Sequence, residues 1–157
     1  MNPKKLFALL LAALALLAFA GCASSQQKGT VMPGADIGAL KTFYVVHIPA
    51  DGREINKLIA ADLVARGYQA TTGEAVNTPA AVDAVVTYQD KWMWDMSMYL
   101  LQLDIQLRNP KTEVPLATGQ SLRTSLARRS PKEMVTEVLD QVYQKAGITT
   151  APAMGTH

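Results

Sequence analysis

Leu101, Leu103, Ile105 and Leu107 alternate with Gln102, Asp104, Gln106 and Arg108, and no other stretch of the chain restricts its fold as sharply. Side chains of a strand point alternately to its two faces. This segment therefore needs a sheet with one buried face and one wet face, the habit of antiparallel sheets rather than parallel ones. Asn109-Pro110-Lys111-Thr112 supplies turn chemistry after it, and Leu116 to Leu126 reads as the return strand, with Leu116, Leu122 and Leu126 in phase. Upstream, Val82 to Trp94 is strand-like through Val85, Val86, Tyr88 and Trp92, after a loop from Thr71 to Pro79. Thr42 to Ile48 is aromatic and β-branched and is closed by Pro49.

Two segments carry the helical period and can cover the buried face. Ile55, Leu58, Ile59 and Leu63 follow Asp51-Gly52-Arg53-Glu54, which fits a capping box, and Gly67 ends the run. Met134, Val138, Leu139 and Val142 form a second stripe behind Ser130-Pro131-Lys132-Glu133, a capping box with proline at the first helical position, and Gly147 stops it. The order β-α-β-β-β-α places the fold in the α+β class: a largely antiparallel sheet with two helices packed on one face.

The most apolar stretch belongs to none of these elements. Lys4 and Lys5 precede an uninterrupted apolar run from Leu6 to Ala20, and small residues lead directly into Cys22, the only cysteine of the chain. This is the layout of a secretory signal peptide, and the run falls short of the roughly 20 residues a membrane-spanning helix needs. The box Phe19-Ala20-Gly21-Cys22, followed by polar residues, resembles that of bacterial lipoproteins, with Phe19 where that family usually has leucine. The resemblance implies a diacylglycerol thioether on Cys22, cleavage after Gly21 and, in many bacteria, a further acyl chain such as palmitate. Two or three chains anchor firmly where one is marginal. Without that pathway, Cys22 is an incidental residue beside an ordinary cleavage site. Ala23, where aspartate favours inner-membrane retention among enteric lipoproteins, implies sorting to the outer membrane, facing the periplasm.

The chain then divides into a signal peptide (1–21), the lipidated cysteine with a flexible tether rich in Ser, Gln and Gly (22–40), one domain (41–147) and a disordered tail (148–157). Lys and Arg number 15 against 13 Asp and Glu, and loss of Lys4 and Lys5 leaves the mature chain formally balanced. Nucleic-acid binders need a strongly basic face, so that partner class is excluded. With its cysteine committed to lipid the domain has no disulfide, and its stability rests on packing. The element order, with LVARGYQ at a helix end and AVDAVVTYQD entering a strand, is similar to small proteobacterial lipoproteins of uncharacterised function. More distantly, it resembles the α/β domains of TolB-like and curli-channel-like envelope proteins.

Catalytic chemistry has little to start from. His47 and His157 are the only histidines, too few for a zinc cluster, and no cofactor or metal is expected. Asp90 and Asp95 could face each other across a hairpin as an acid–base pair, but carboxylates at strand ends are commonly just solvated. The stretch from Trp92 to Tyr99 concentrates both tryptophans with Met93, Met96 and Met98. Trp92, Trp94, Met96, Met98 and Tyr99 are candidates for a partner or ligand surface, since such side chains bury large areas and adapt in shape; they also fill cores. The apolar phase shifts near Tyr99, so a bulge or turn there assigns Trp92 to the core and Trp94 to the outside. Arg123, Arg128, Arg129 and Lys132 gather at the start of the last helix as a weak anion site, against the plainer reading of a solvated basic edge. The expectation is a lipid-anchored, non-enzymatic envelope protein acting through an envelope protein partner in assembly or maintenance. The alternative is a small-ligand or lipid binder with a pocket between sheet and helices, lined partly by Trp92 and Trp94.

Overall fold

A computed structural model describes residues 25–149. The signal peptide, Cys22 and residues 150–157 lie outside the described residues. Six strands, β1 (Ser25–Val31), β2 (Thr42–Val46), β3 (Gln69–Gly73), β4 (Ala84–Asp95), β5 (Ser97–Arg108) and β6 (Pro115–Arg123), and two helices, α1 (Ile55–Ala65) and α2 (Pro131–Lys145), build an α+β fold. The strands form one sheet in the order β1-β6-β5-β4-β2-β3. Pairing is antiparallel from β1 through β4, while β2 runs parallel to both β4 and β3.

Both helices pack on one face. Leu103, Ile105 and Leu107 of β5 are buried there with Ile55, Ile59 and Leu63 of α1 and Met134, Val138, Leu139 and Val142 of α2. Each such side chain contributes about 1.5–3 kcal/mol by leaving water. Arg66, its side chain buried, ties the two helices together: it reaches Asp62 at 2.5 Å and Asp140 at 2.8 Å and donates to the Thr136 carbonyl at 3.3 Å. The opposite face is wet, as the alternation in β5 requires. Gln89, Asp104, Gln120 and Lys28 share one row across four strands, and Thr87, Gln106, Thr118 and Thr30 the next.

Parallel pairing of β2 with its two neighbours settles how the chain crosses. A right-handed return puts α1 on one face between β2 and β3. The return from β3 to β4 runs the other way across β2, so its loop passes over the other face. That loop accounts for the burial of Tyr44, whose hydroxyl donates to the Glu74 carbonyl at 2.9 Å.

The capping box of α2 is present, with the Ser130 hydroxyl accepting from the Glu133 amide and the Glu133 carboxylate accepting from the Ser130 amide. At α1 the expected box is replaced. Glu54 adopts φ 58° and pairs with Lys57, while buried Asp51 accepts from the Arg53 and Ile55 amides and from the Tyr88 hydroxyl at 2.6 Å.

Two expectations fail for one physical reason, that short polar segments pair at sheet edges, and others fail in β6 and at the two ends of the last helix. The tether is not free from Ser25 on: β1 pairs with β6 over seven residues, and Ile37 and Leu40 enter the core. Thr71 to Gly73, expected as loop, belong to edge strand β3. In β6 the core side carries Ala117, Gly119 and Ser121, not Leu122, because α2 lies too close for larger residues, while Leu116, at the register shift, packs half-buried against the core. A Cβ on Gly119 would stand 2.7 Å from Val138 Cγ1, and one on its cross-strand partner Gly29 only 2.4 Å from the Gln141 carbonyl oxygen. Leu126 lies beyond the strand and is 86% exposed. Ile148, expected in the tail, packs on the core behind Gly147, which has φ 73°, and its amide donates to the Tyr143 carbonyl.

Candidate functional site

Strands β4 and β5 are longer than their neighbours and outrun the sheet. Partnering with β2 ends at Val86, and partnering with β6 begins only at Gln102, so the rungs from Trp92–Leu100 to Asp95–Ser97 form a two-stranded projection. The register shifts between Lys91 and Trp92, where Leu101 is the extra residue, a bulge that changes the apolar phase. Met96 alone makes the turn, at φ 58°, a conformation that usually falls to glycine or asparagine.

The five candidate residues of this stretch divide. Trp94 is 66% exposed, Met96 92% and Met98 50%. Trp92 is half-buried against the core, its ring under the Arg53 guanidinium at 3.9 Å and its indole N–H donating to Asp90 at 2.5 Å. Tyr99 is buried with Arg128 over its ring at 4.4 Å. Met93 and Leu126 are exposed beside them and were not among the candidates; Met93 sits within the same stretch, whereas Leu126 was assigned to a strand. Arg128 fixes the turn by donating to the Asp95 carbonyl at 2.5 Å, the Ser97 hydroxyl at 2.6 Å and the Ser125 carbonyl at 3.1 Å.

The four cations do not form one anion site. Arg128 serves the hairpin, Arg123 is paired with Glu137, and Arg129 lies between Glu133 at 3.1 Å and Glu137 at 3.7 Å. Lys132 shares the depression lined by Arg129, Glu133, Thr136 and Glu137. Glu133 already occupies the α2 N-terminus; bonds from the Ser130 amide and hydroxyl, with Arg129 adding, hold its carboxyl below the usual range. Carboxylates thus fill the place an anion would take. Asp90 and Asp95 lie on the same strand, about 16 Å apart along it, not opposite each other.

Other titratable groups are tied into structure. Burial acts to raise Asp51, but bonds from Tyr88 and the Arg53, Ile55 and Asn56 amides outweigh it and lower its pKa. Burial and Asp51 together push the Tyr88 hydroxyl up. The hydrogen bond that His47 donates to the Glu74 carboxylate raises the pKa of His47. Among the described residues, no three His, Cys, Asp or Glu side chains group to hold a metal, and no helix is long and apolar enough to cross a membrane. Core side chains occupy the layer between sheet and helices, and among the described residues a depression of about 390 Å³ lies instead on the polar sheet face, over Lys28, Gln89, Asp104 and Gln120, with neither tryptophan in its lining.

No protein-family model matches the chain, and no curated protein matches it. Among solved structures, the PelC dodecamer from Paraburkholderia phytofirmans is similar at a TM-score of 0.56 and 14% identity, over 80% of this chain and 99% of that one. A point variant of the same dodecamer gives 0.53 at 15% identity, over 80% and 98%. TolB from Acinetobacter baumannii gives 0.47 at 18% identity, over 76% of this chain and 31% of that one. The likeness is one of fold.

Proposed function

We propose that this chain is a lipoprotein held by acylated Cys22 in the bacterial outer membrane, facing the periplasm. Its role there is in envelope assembly or maintenance, through protein–protein contacts rather than catalysis, and its first partner is further copies of itself. The observation that carries the reading is likeness of fold over almost the whole length of PelC, a protein that forms a dodecamer. The sheet supports it: its two edges, β1 and β3, are different strands. A contact joining β3 of one copy to β1 of the next is head-to-tail, and such contacts close into rings when the rotation permits. In-cell crosslinking of the full chain, followed by detergent extraction and mass spectrometry, tests this. Ladders of self-crosslinked species are expected. A chain that stays monomeric and crosslinks to no envelope protein refutes it.

A further inference from the structure

We propose that the end of the sheet bearing the β4–β5 turn rests on the lipid bilayer, with Trp94, Met96, Met98 and Leu126 seated at its headgroup boundary. This goes beyond self-assembly and rests on acylation of Cys22.

Register carries the argument. Lys91, Gln102, Leu122 and Gln26 share one row across the sheet, the last before the hairpin projects, and Ser25 pairs with Arg123 one row farther on. Strand β1 therefore starts at the end from which the hairpin extends. Asp95 lies three residues past Trp92, so the turn stands about 10 Å beyond Ser25 along the strands. Cys22 precedes Ser25 by three residues, a reach of at most about 11 Å. That reach is enough to bring the acylated sulfur level with the turn. The opposite end of β1, Val31, is about 20 Å from Ser25, beyond what three residues can span. Acyl chains on Cys22 thus draw the hairpin end, and no other, onto the membrane.

What meets the bilayer there fits its boundary. Tryptophan sits favourably at headgroup level, and methionine presents a flexible apolar surface. Exposed Leu126 stands at the same end, since Arg128 binds both the neighbouring Ser125 carbonyl and the turn. The polar groups limit the depth. Asp95, between Trp94 and Met96, faces Arg128 at 3.5 Å, and this pair is held where phosphates and water solvate it, so the tip enters only the outermost acyl region.

The test uses the acylated full chain, its acyl state read first by intact mass, in vesicles of phosphatidylethanolamine and phosphatidylglycerol with bromine on the upper acyl carbons. Trp92→Phe leaves Trp94 as the reporter, and Trp94→Phe leaves Trp92. Trp94 is expected to lose about half its emission to brominated lipid, as a side chain at 5–10 Å depth would, while Trp92, beneath Arg53, loses little. Met96→Asp in the Trp92→Phe chain, at a position too exposed to threaten folding, should cut the quenching several-fold. With acylation confirmed, Trp94 unquenched by lipid overturns the docking and leaves the anchor standing. Shielding from aqueous iodide would then assign the patch to a protein, a second copy included, and free access to iodide would leave it in water. An unmodified mass overturns anchor and docking together.

Discussion

Gly29→Ala separates a packed β1 from a tether by whether it costs stability. In a tether, alanine is neutral, because the segment is unordered in the folded and the unfolded chain alike and its restriction cancels. In the structure, the added Cβ would stand 2.4 Å from the Gln141 carbonyl oxygen and 2.7 Å from its carbonyl carbon. These are backbone atoms within α2 and cannot swing aside as a side-chain end would, so either the helix lifts or β1 moves out. Overpacking of this kind costs about 1–3 kcal/mol. Gly119→Ala meets Val138 at 2.7 Å to Cγ1 and 2.8 Å to the carbonyl oxygen and should cost as much. Since Gly29 and Gly119 are directly paired, one lift of α2 relieves both clashes, and the double variant should cost less than the sum of the two. Gly52→Ala, with nothing within 4 Å of the added atom, is the control. Urea unfolding of the chain beginning at Ala23, followed by circular dichroism, measures all four. A neutral Gly29→Ala beside a costly Gly119→Ala would mean that residues 25–31 are a tether after all, and would remove the fixed path from anchor to hairpin.

Leu139→Ala should cost roughly 2–5 kcal/mol in the same melts, since Leu139 is fully buried between α2 and the sheet; a change near zero would mean that α2 is not docked. Asp51→Ala removes the acceptor of the Ile55 amide and the Tyr88 hydroxyl and should cost about 2–4 kcal/mol. The folded-state pKa of Asp51 is lowered, so its contribution is complete above the ordinary carboxylate value and fades as pH falls toward the lowered one. Asp51→Asn should therefore flatten the acid limb of the stability profile below about pH 4, and an unchanged limb counts against the role.

Elements whose signal is local were legible in the sequence. The period of β5 from Leu103 to Leu107 and the Ser130–Glu133 cap each depend on residues within a few positions of one another and stand as read, whereas Leu101, expected on the buried face, is the half-buried bulge residue and Leu100 takes the core position. What was not legible was decided across the fold. Strand β1, SQQKGTV, has no apolar alternation because α2 leaves room only for glycine at its closest approach. The inward residues of β6 are small for the same reason, so its leucines pointed to the wrong phase. At the candidate site, exposure of Trp94 followed from its place beside the turn and Asp95. Burial of Tyr99 did not, because Arg128, far along the chain, covers it. The scatter of the four cations was hidden too, since Glu137 enters from the second turn of α2 to claim Arg123.

Topology brings the start of β1 and the exposed apolar patch to one end of the sheet. Since β2 is parallel to β4, the exit from β2 and the entry to α1 fall at the end where β4 meets its turn, and Arg53 from that connection covers Trp92. Since β6 is antiparallel to β5, its exit reaches the same end and delivers Arg128 to the turn. Strand β1, antiparallel to β6, begins there. The other end receives polar turns instead: the Asn109 side chain accepts from the Lys111 and Thr112 amides, and Asp83 accepts from those of Lys41 and Thr42. Four segments remote in sequence thus share one end because of strand direction alone, and both tryptophans lie there. Reversing β1 would carry its first residue, Ser25, to the polar end. It is therefore the pairing of an otherwise featureless edge strand that, if Cys22 is acylated as proposed, would set which end of the sheet faces the membrane.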